Sequence, residues 1–94
     1  MTRHFDDLTI ATTVQNNIAL CIAMLRSFDA NVGTPAGIIV LDDASEMPPH
    51  FPTFSAPVFT LRNQTAAGFC KAADRALREV QTKYALLVDA DVVF

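Results

Sequence analysis

Residues 37–41 read Gly-Ile-Ile-Val-Leu, and the run breaks off without transition into Asp42-Asp43-Ala44-Ser45-Glu46. A strand with one wet face alternates apolar and polar residues. A continuous apolar run must instead be covered on both faces, as happens in a parallel sheet sandwiched between helices. That requirement dictates what the rest of the chain has to provide, namely further strands and a helix for each face.

The remaining segments meet it. Leu8-Thr-Ile-Ala-Thr-Thr13 is a short β-rich run,. Asn16-Asn17 then offers N-cap chemistry to a helix carrying Ile18, Cys21, Ile22, Leu25 and Phe28 at helical spacing,. That helix ends between Asp29 and Gly33, with Pro35 following,. Pro48, Pro49, Pro52 and Pro57 make residues 47–57 an irregular loop,. Val58-Phe-Thr-Leu61 reads as a third strand, and a second helix follows over about residues 65–81. Its Phe69, Ala72, Ala73, Ala76, Leu77 and Val80 face the sheet, and its Asp74–Arg78 and Arg75–Glu79 are i,i+4 pairs,. Tyr84-Ala-Leu-Leu-Val88 is the fourth strand.

The order β-α-β-loop-β-α-β implies right-handed crossovers in a parallel sheet. The expected fold is α/β: a three-layer α/β/α arrangement with a mostly parallel, Rossmann-like sheet of strand order 3-2-1-4, one domain over residues 1–94. Ligands of such sheets bind beyond the carboxyl ends of the strands, where the winding reverses. Here those ends are Thr12-Thr13, Asp42-Asp43 and Asp89-Ala90-Asp91.

Composition narrows the function. Hydrophobic residues are 51% of the chain and charged residues 18%, which excludes a disordered segment,. The net charge of −3 gives no electrostatic case for nucleic acid or a membrane surface,. No apolar run approaches the ~20 residues of a membrane span. Residues 1–7 lack the hydrophobic region of a signal peptide, so the expected location is cytoplasmic. Cys21 and Cys70 both fall on apolar helical faces and read as buried free thiols.

Four carboxylates, Asp42, Asp43, Asp89 and Asp91, stand at strand ends. At an effective dielectric near 20, two unit charges ~4 Å apart repel by about 4 kcal/mol. A hard divalent cation, Mg²⁺ or Mn²⁺, removes the conflict and commonly takes phosphate oxygens as well. The bland alternative is that the Asp residues are turn formers bonding their own backbone. His4 and His50 sit in a terminal tail and a Pro-rich loop, and no Cys/His set has zinc spacing.

These residues resemble the nucleotide-sugar-binding half of GT-A-fold, family 2-type glycosyltransferases. "LTIATTVQN" resembles the first strand and its Pro-Thr-Tyr-Asn ending, and "GIIVLDDAS" the second strand with its Val-Asp-Asp-Gly-Ser turn. "LRNQTAAGFCKAADRAL" resembles the Arg-Asn and Asn-x-Gly-x-x-x-Ala segment opening a helix, and "YALLVDADVVF" the fourth strand with the D-x-D motif. The resemblance implies a nucleotide-diphospho-sugar donor, UDP-sugar first. Asp42 would hydrogen-bond the base, Thr13 would line the base and ribose pocket, and Asp89 would contact the ribose or sugar. Asp91, with Asp89 beside it, would hold the Mn²⁺ or Mg²⁺ that bridges the diphosphate. Arg62 and Lys71 are further candidates near the nucleotide.

There are departures: Thr12, Val14 and Gln15 replace Pro, Tyr and Asn, Ala44 replaces the turn Gly, and Ala66 and Ala76 replace Asn and Gly. In such enzymes the acceptor site and the catalytic base follow the D-x-D motif. The expectation is therefore a donor-binding half whose base lies beyond Phe94, with no transfer by residues 1–94 alone. The alternatives are a non-catalytic nucleotide-binding module and a flavodoxin-like phosphoacceptor domain. The latter wants an acidic pair after the first strand, where this chain has Thr12-Thr13. The apolar run from Tyr84 to Phe94 reads as an uncovered edge, and the expected consequence is a homodimer through it.

Overall fold

A computed structural model describes residues 3–94. Its strands are β1 (His4–Val14), β2 (Thr34–Asp43), β3 (Val58–Asn63) and β4 (Tyr84–Leu87), and its helices α1 (Ile18–Asn31) and α2 (Phe69–Arg78). The strands form one sheet in the order β3-β2-β1-β4, and every pairing is parallel. The fold is the α/β arrangement expected. The order also bears on the phosphoacceptor alternative, because a flavodoxin-like sheet runs 2-1-3-4-5. Here β1 lies between β2 and β4, and β3 reaches only β2.

Side-chain parity divides the core. Ile10, Val14, Ile38, Val40 and Val88 meet Cys21, Met24, Leu25 and Phe28 of α1. Those four recur at i, i+3, i+4 and i+7, the stripe an amphipathic helix buries,. Ala11, Ile39 and Leu41 point to the other face and meet Ala72 and Ala76 of α2. The Ala face lets α2 lie close against β1, β2 and β4. Every apolar residue of the run 37–41 is thus covered from one side or the other.

Several boundaries differ from expectation. β1 begins at His4, where His4 and Phe5 pair with Thr34 and Pro35, and a register irregularity takes up Asp6 and Asp7 between Phe5 and Thr9. Tertiary pairing overrides weak strand propensity there. α2 is shorter than the segment 65–81 because Asp43 takes up the backbone before Phe69. Arg75 does not pair with Glu79; its Nη1 donates to Arg62 O (2.8 Å) and Asn63 Oδ1 (2.6 Å), while Arg78 does pair with Asp74. Asn17 stands at the N-cap of α1, yet its Oδ1 accepts from Gln15 N (2.9 Å) and caps nothing in the helix.

Cys21 is buried and free, its thiol pushed up to about 12 by burial, but Cys70 is exposed. Residue 70 follows the first residue of α2, one step off the Ala stripe. The strand expectation beyond Leu87 also fails. Asp89 O accepts from Val92 N (3.2 Å) in a turn, and the chain then folds back over α1. Phe94 sits edge-on to Phe28 with ring centroids 5.1 Å apart, and its N–H donates to Ser27 Oγ (3.0 Å). Its aromatic ring is already partly covered by the same chain.

Candidate functional site

Three strand ends and the first turns of both helices enclose a cleft of about 450 Å³ at the carboxyl edge of the sheet. It lies where β1 adjoins both β2 and β4, the point at which the winding reverses,. β1 and its loop contribute Thr13, Val14, Gln15 and Asn17; β2 contributes Asp43; the segment after β4 contributes Asp89, Ala90 and Asp91. α1 adds Leu20, and the start of α2 adds Gly68, Phe69 and Ala72.

The D-x-D segment owes its geometry to what it buries. Val88 and Ala90 are buried, while Asp89 and Asp91 between and after them are exposed. Val88 N donates to Ala11 O (3.0 Å), which ties the segment to β1 just past the last β4 pairing. Two carboxylates can therefore sit beside an apolar run without a desolvation penalty, because they stand in solvent at the cleft.

The four-carboxylate conflict is half resolved by the protein itself. Asp42 is fully buried and forms an ion pair with Arg62, its direct register partner on β3. Asp42 Oδ1 also accepts from Ser45 N (3.1 Å) and from Ser45 Oγ, and Arg62 Nη2 donates to Ser45 O (2.7 Å). This closed network holds the turn in which Ala44 takes a left-handed φ of 62°. Asp42 and Arg62 do not line the cleft. The turn-former reading is the one the geometry supports for Asp42,.

Asp43 points to the opposite face and does line the cleft. Its Oδ1 accepts from Asn63 Nδ2 (2.9 Å) and Ala67 N (2.8 Å), and its Oδ2 from Gly68 N (3.0 Å). Gly68 reaches its φ of 88° without a side-chain penalty, and that turn aims the backbone N–H groups at the carboxylate,. Burial pushes the Asp43 carboxyl up, but the Ala67, Asn63 and Gly68 donors together outweigh it and hold the group below its ordinary 3.8,.

Of the residues singled out from the sequence, the fold thus brings Thr13, Asp89 and Asp91 to one cleft and leaves Asp42, Arg62 and the exposed Lys71 off it. The cleft also contains Asp43, which the sequence pattern places only among the four strand-end carboxylates, and Leu20 and Phe69, to which it assigns no ligand role. Asp43 is legible from parity: Ile39, Leu41 and Asp43 share one face, and Thr13 continues the matching face of β1. Leu20 and Phe69 carry no signal beyond hydrophobicity.

The donor set is compatible with a hard divalent cation in one form. Among the described residues no group of three or more His, Cys, Asp or Glu side chains is gathered for a metal. Two carboxylates, Asp89 and Asp91, are what a Mg²⁺-type ion takes from a protein when phosphate oxygens and water complete its shell. No Lys or Arg lines the cleft, and neither carboxylate has an ion-pair partner among the described residues.

No helix is long and apolar enough to cross a membrane among the described residues. No family model matches the sequence, and no curated protein matches it. The fold does match a solved structure, the crystal structure of S. aureus TarS 1-349, with a TM-score of 0.71 and 17% identity. The match covers 90% of this chain and 27% of the TarS chain, so this chain spans about a quarter of that length. At that identity the likeness is one of fold.

Proposed function

We propose that this chain binds a nucleotide-diphospho-sugar, UDP-sugar first, as the donor-binding part of a metal-dependent, inverting glycosyltransferase of the family 2 type. The observation that carries the reading is the pair Asp89 and Asp91, unpaired and facing the same cleft as Thr13 at the reversal of a 3-2-1-4 sheet. The four sequence blocks in family order and the match of fold to TarS over 90% of the chain support it.

In this reading Asp91 and Asp89 would hold Mn²⁺ or Mg²⁺ beside the donor's diphosphate,. The metal, when bound, neutralises charge on the diphosphate leaving group. Thr13 and the β1 loop line the nucleoside part, and Asp43 offers its remaining acceptor capacity to a donor group on the base or ribose. A cytoplasmic location and a two-fold pairing through the β4 edge belong to the same proposal. The non-catalytic nucleotide-binding module is the second reading.

The test is thermal unfolding with UDP. A ligand that binds only the folded state stabilises it by about 2.7 kcal/mol at a hundredfold excess over Kd. UDP with Mn²⁺ or Mg²⁺ is expected to raise Tm, and neither UDP nor metal alone is expected to do so. Asp91→Ala is expected to abolish the shift while leaving the ligand-free Tm close to wild type, since the side chain is exposed. An equal response to UDP in a chelator would count against the metal site.

A further inference from the structure

Both helices open onto the cleft with a large apolar side chain that the fold leaves uncovered. On α2 the stripe that faces the sheet is Phe69, Ala72, Ala73 and Ala76, at i, i+3, i+4 and i+7,. The three Ala residues are buried, and Ala72 and Ala76 meet β1 and β2, but Phe69 overhangs the carboxyl edge and is 55% exposed. On α1 the buried stripe starts at Cys21, and Leu20, one residue earlier, is 53% exposed. The two helices cover opposite faces of the sheet, so these side chains flank the rim from opposite sides, and both line the cleft that holds Asp43, Asp89 and Asp91.

Phe69 is the one aromatic residue lining that cleft. It belongs to neither core cluster and has no aromatic partner among the described residues. Val14, the apolar residue that β1 brings to the same place, is 2% exposed and offers little surface of its own. A polar, acidic cleft with one free aromatic ring and one free aliphatic side chain suits a ligand with a flat face at one end and a charged group at the other.

We infer that Phe69 and Leu20 form the apolar jaws of the cleft and take the heterocyclic base of the ligand against them, with Phe69 as its stacking surface. The inference rests on the donor-binding reading and adds two residues that the D-x-D segment does not involve. Stacking accepts any base, because every base has a π-face. Discrimination between bases then falls to polar neighbours in the cleft such as Asp43, Gln15 and Asn17.

The chain contains no Trp, so Phe69→Trp introduces a single fluorophore at the proposed surface. UDP with Mn²⁺ is expected to change its emission, and pyrophosphate with Mn²⁺, which has no base, is expected to leave it unchanged. By calorimetry, Phe69→Ala is expected to weaken UDP roughly tenfold, the low-to-middle range for loss of one base–aromatic stack, and to leave pyrophosphate affinity within twofold. Leu20→Ala is expected to weaken UDP less than Phe69→Ala. Ligand-free melting of both variants is expected to match wild type, because both side chains are largely exposed.

If wild type binds UDP with Mn²⁺ but Phe69→Ala binds it equally well, the jaws are overturned and the donor reading stands. The jaws are likewise overturned if Phe69→Ala loses UDP and pyrophosphate alike, or if Phe69→Trp binds UDP with no change in emission. If wild type binds pyrophosphate with Mn²⁺ but none of UDP, ADP and GDP, the donor reading fails and the jaws fail with it.

Discussion

Ala44 closes the turn after β2 with a φ of 62°, a conformation that costs an L-residue roughly 1–2 kcal/mol because its Cβ crowds the following carbonyl,. The turn holds its shape because Asp42, Ser45 and Arg62 bond to one another around it. Glycine reaches this conformation freely but also loses more chain entropy on folding. Ala44→Gly is therefore expected to stabilise the protein by about 0.5–1 kcal/mol, read as a rise of several degrees in Tm. A fall in Tm would show that the turn relaxes out of the left-handed region. The same network explains why Asp42 is better understood as a brace than as a ligand group: both its oxygens are engaged and it is fully buried.

At the scale of elements, the junction that builds the cleft is the one between β2 and α2. Asp43 receives the N–H groups of Ala67 and Gly68, so the helix start is anchored to a strand end by a charged acceptor,. Its pKa is lowered in the folded state, and the sign of the consequence follows directly,. The stabilisation is fully present above the unfolded value near 3.8 and is lost as pH falls through the lower folded value. Asp43→Asn is expected to flatten the acid limb of a Tm-against-pH curve below about pH 4 and to lower stability at pH 7. It should also increase amide exchange at Ala67 and Gly68. An acid limb identical to wild type would mean that Asp43 does not anchor α2.

For the whole molecule, the question is what the apolar surface beside the cleft does. Tyr84 and Leu87 on the edge strand β4 are 57% and 40% exposed, and Val93 after the turn is 79% exposed. β4 is only four residues long, and a short edge limits strand-to-strand recruitment,. The fold-back of Phe94 onto Phe28 further reduces what a partner would cover. The proposed pairing therefore runs along the β4 edge itself, where Tyr84 and Leu87 stand on opposite faces of the strand, rather than through the whole run 84–94,. Light scattering at micromolar concentration is expected to give a dimer mass, and Leu87→Lys to shift it to monomer. A wild-type monomer across that range would remove the two-fold pairing from the proposal.

Much of this molecule is written in local pattern. The unbroken apolar run 37–41 requires cover on both faces, and the alternation of the two helices with short strands leaves a parallel sheet as the consistent answer,. Strand order and the place of the cleft follow from connection rules, and Asp89 and Asp91 are legible because carboxylates beside an apolar strand need a reason. Tertiary structure decided which carboxylates are free. Asp42 and Asp43 are adjacent in sequence, but strand parity sends one to Arg62 and the other to the start of α2,. It also decided that Phe69 overhangs the sheet edge while Ala72, three residues on, is buried beneath the same helix. A helical stripe is periodic along the chain, but where the sheet beneath it ends depends on the register of strands far away in sequence, and no local pattern carries that distance.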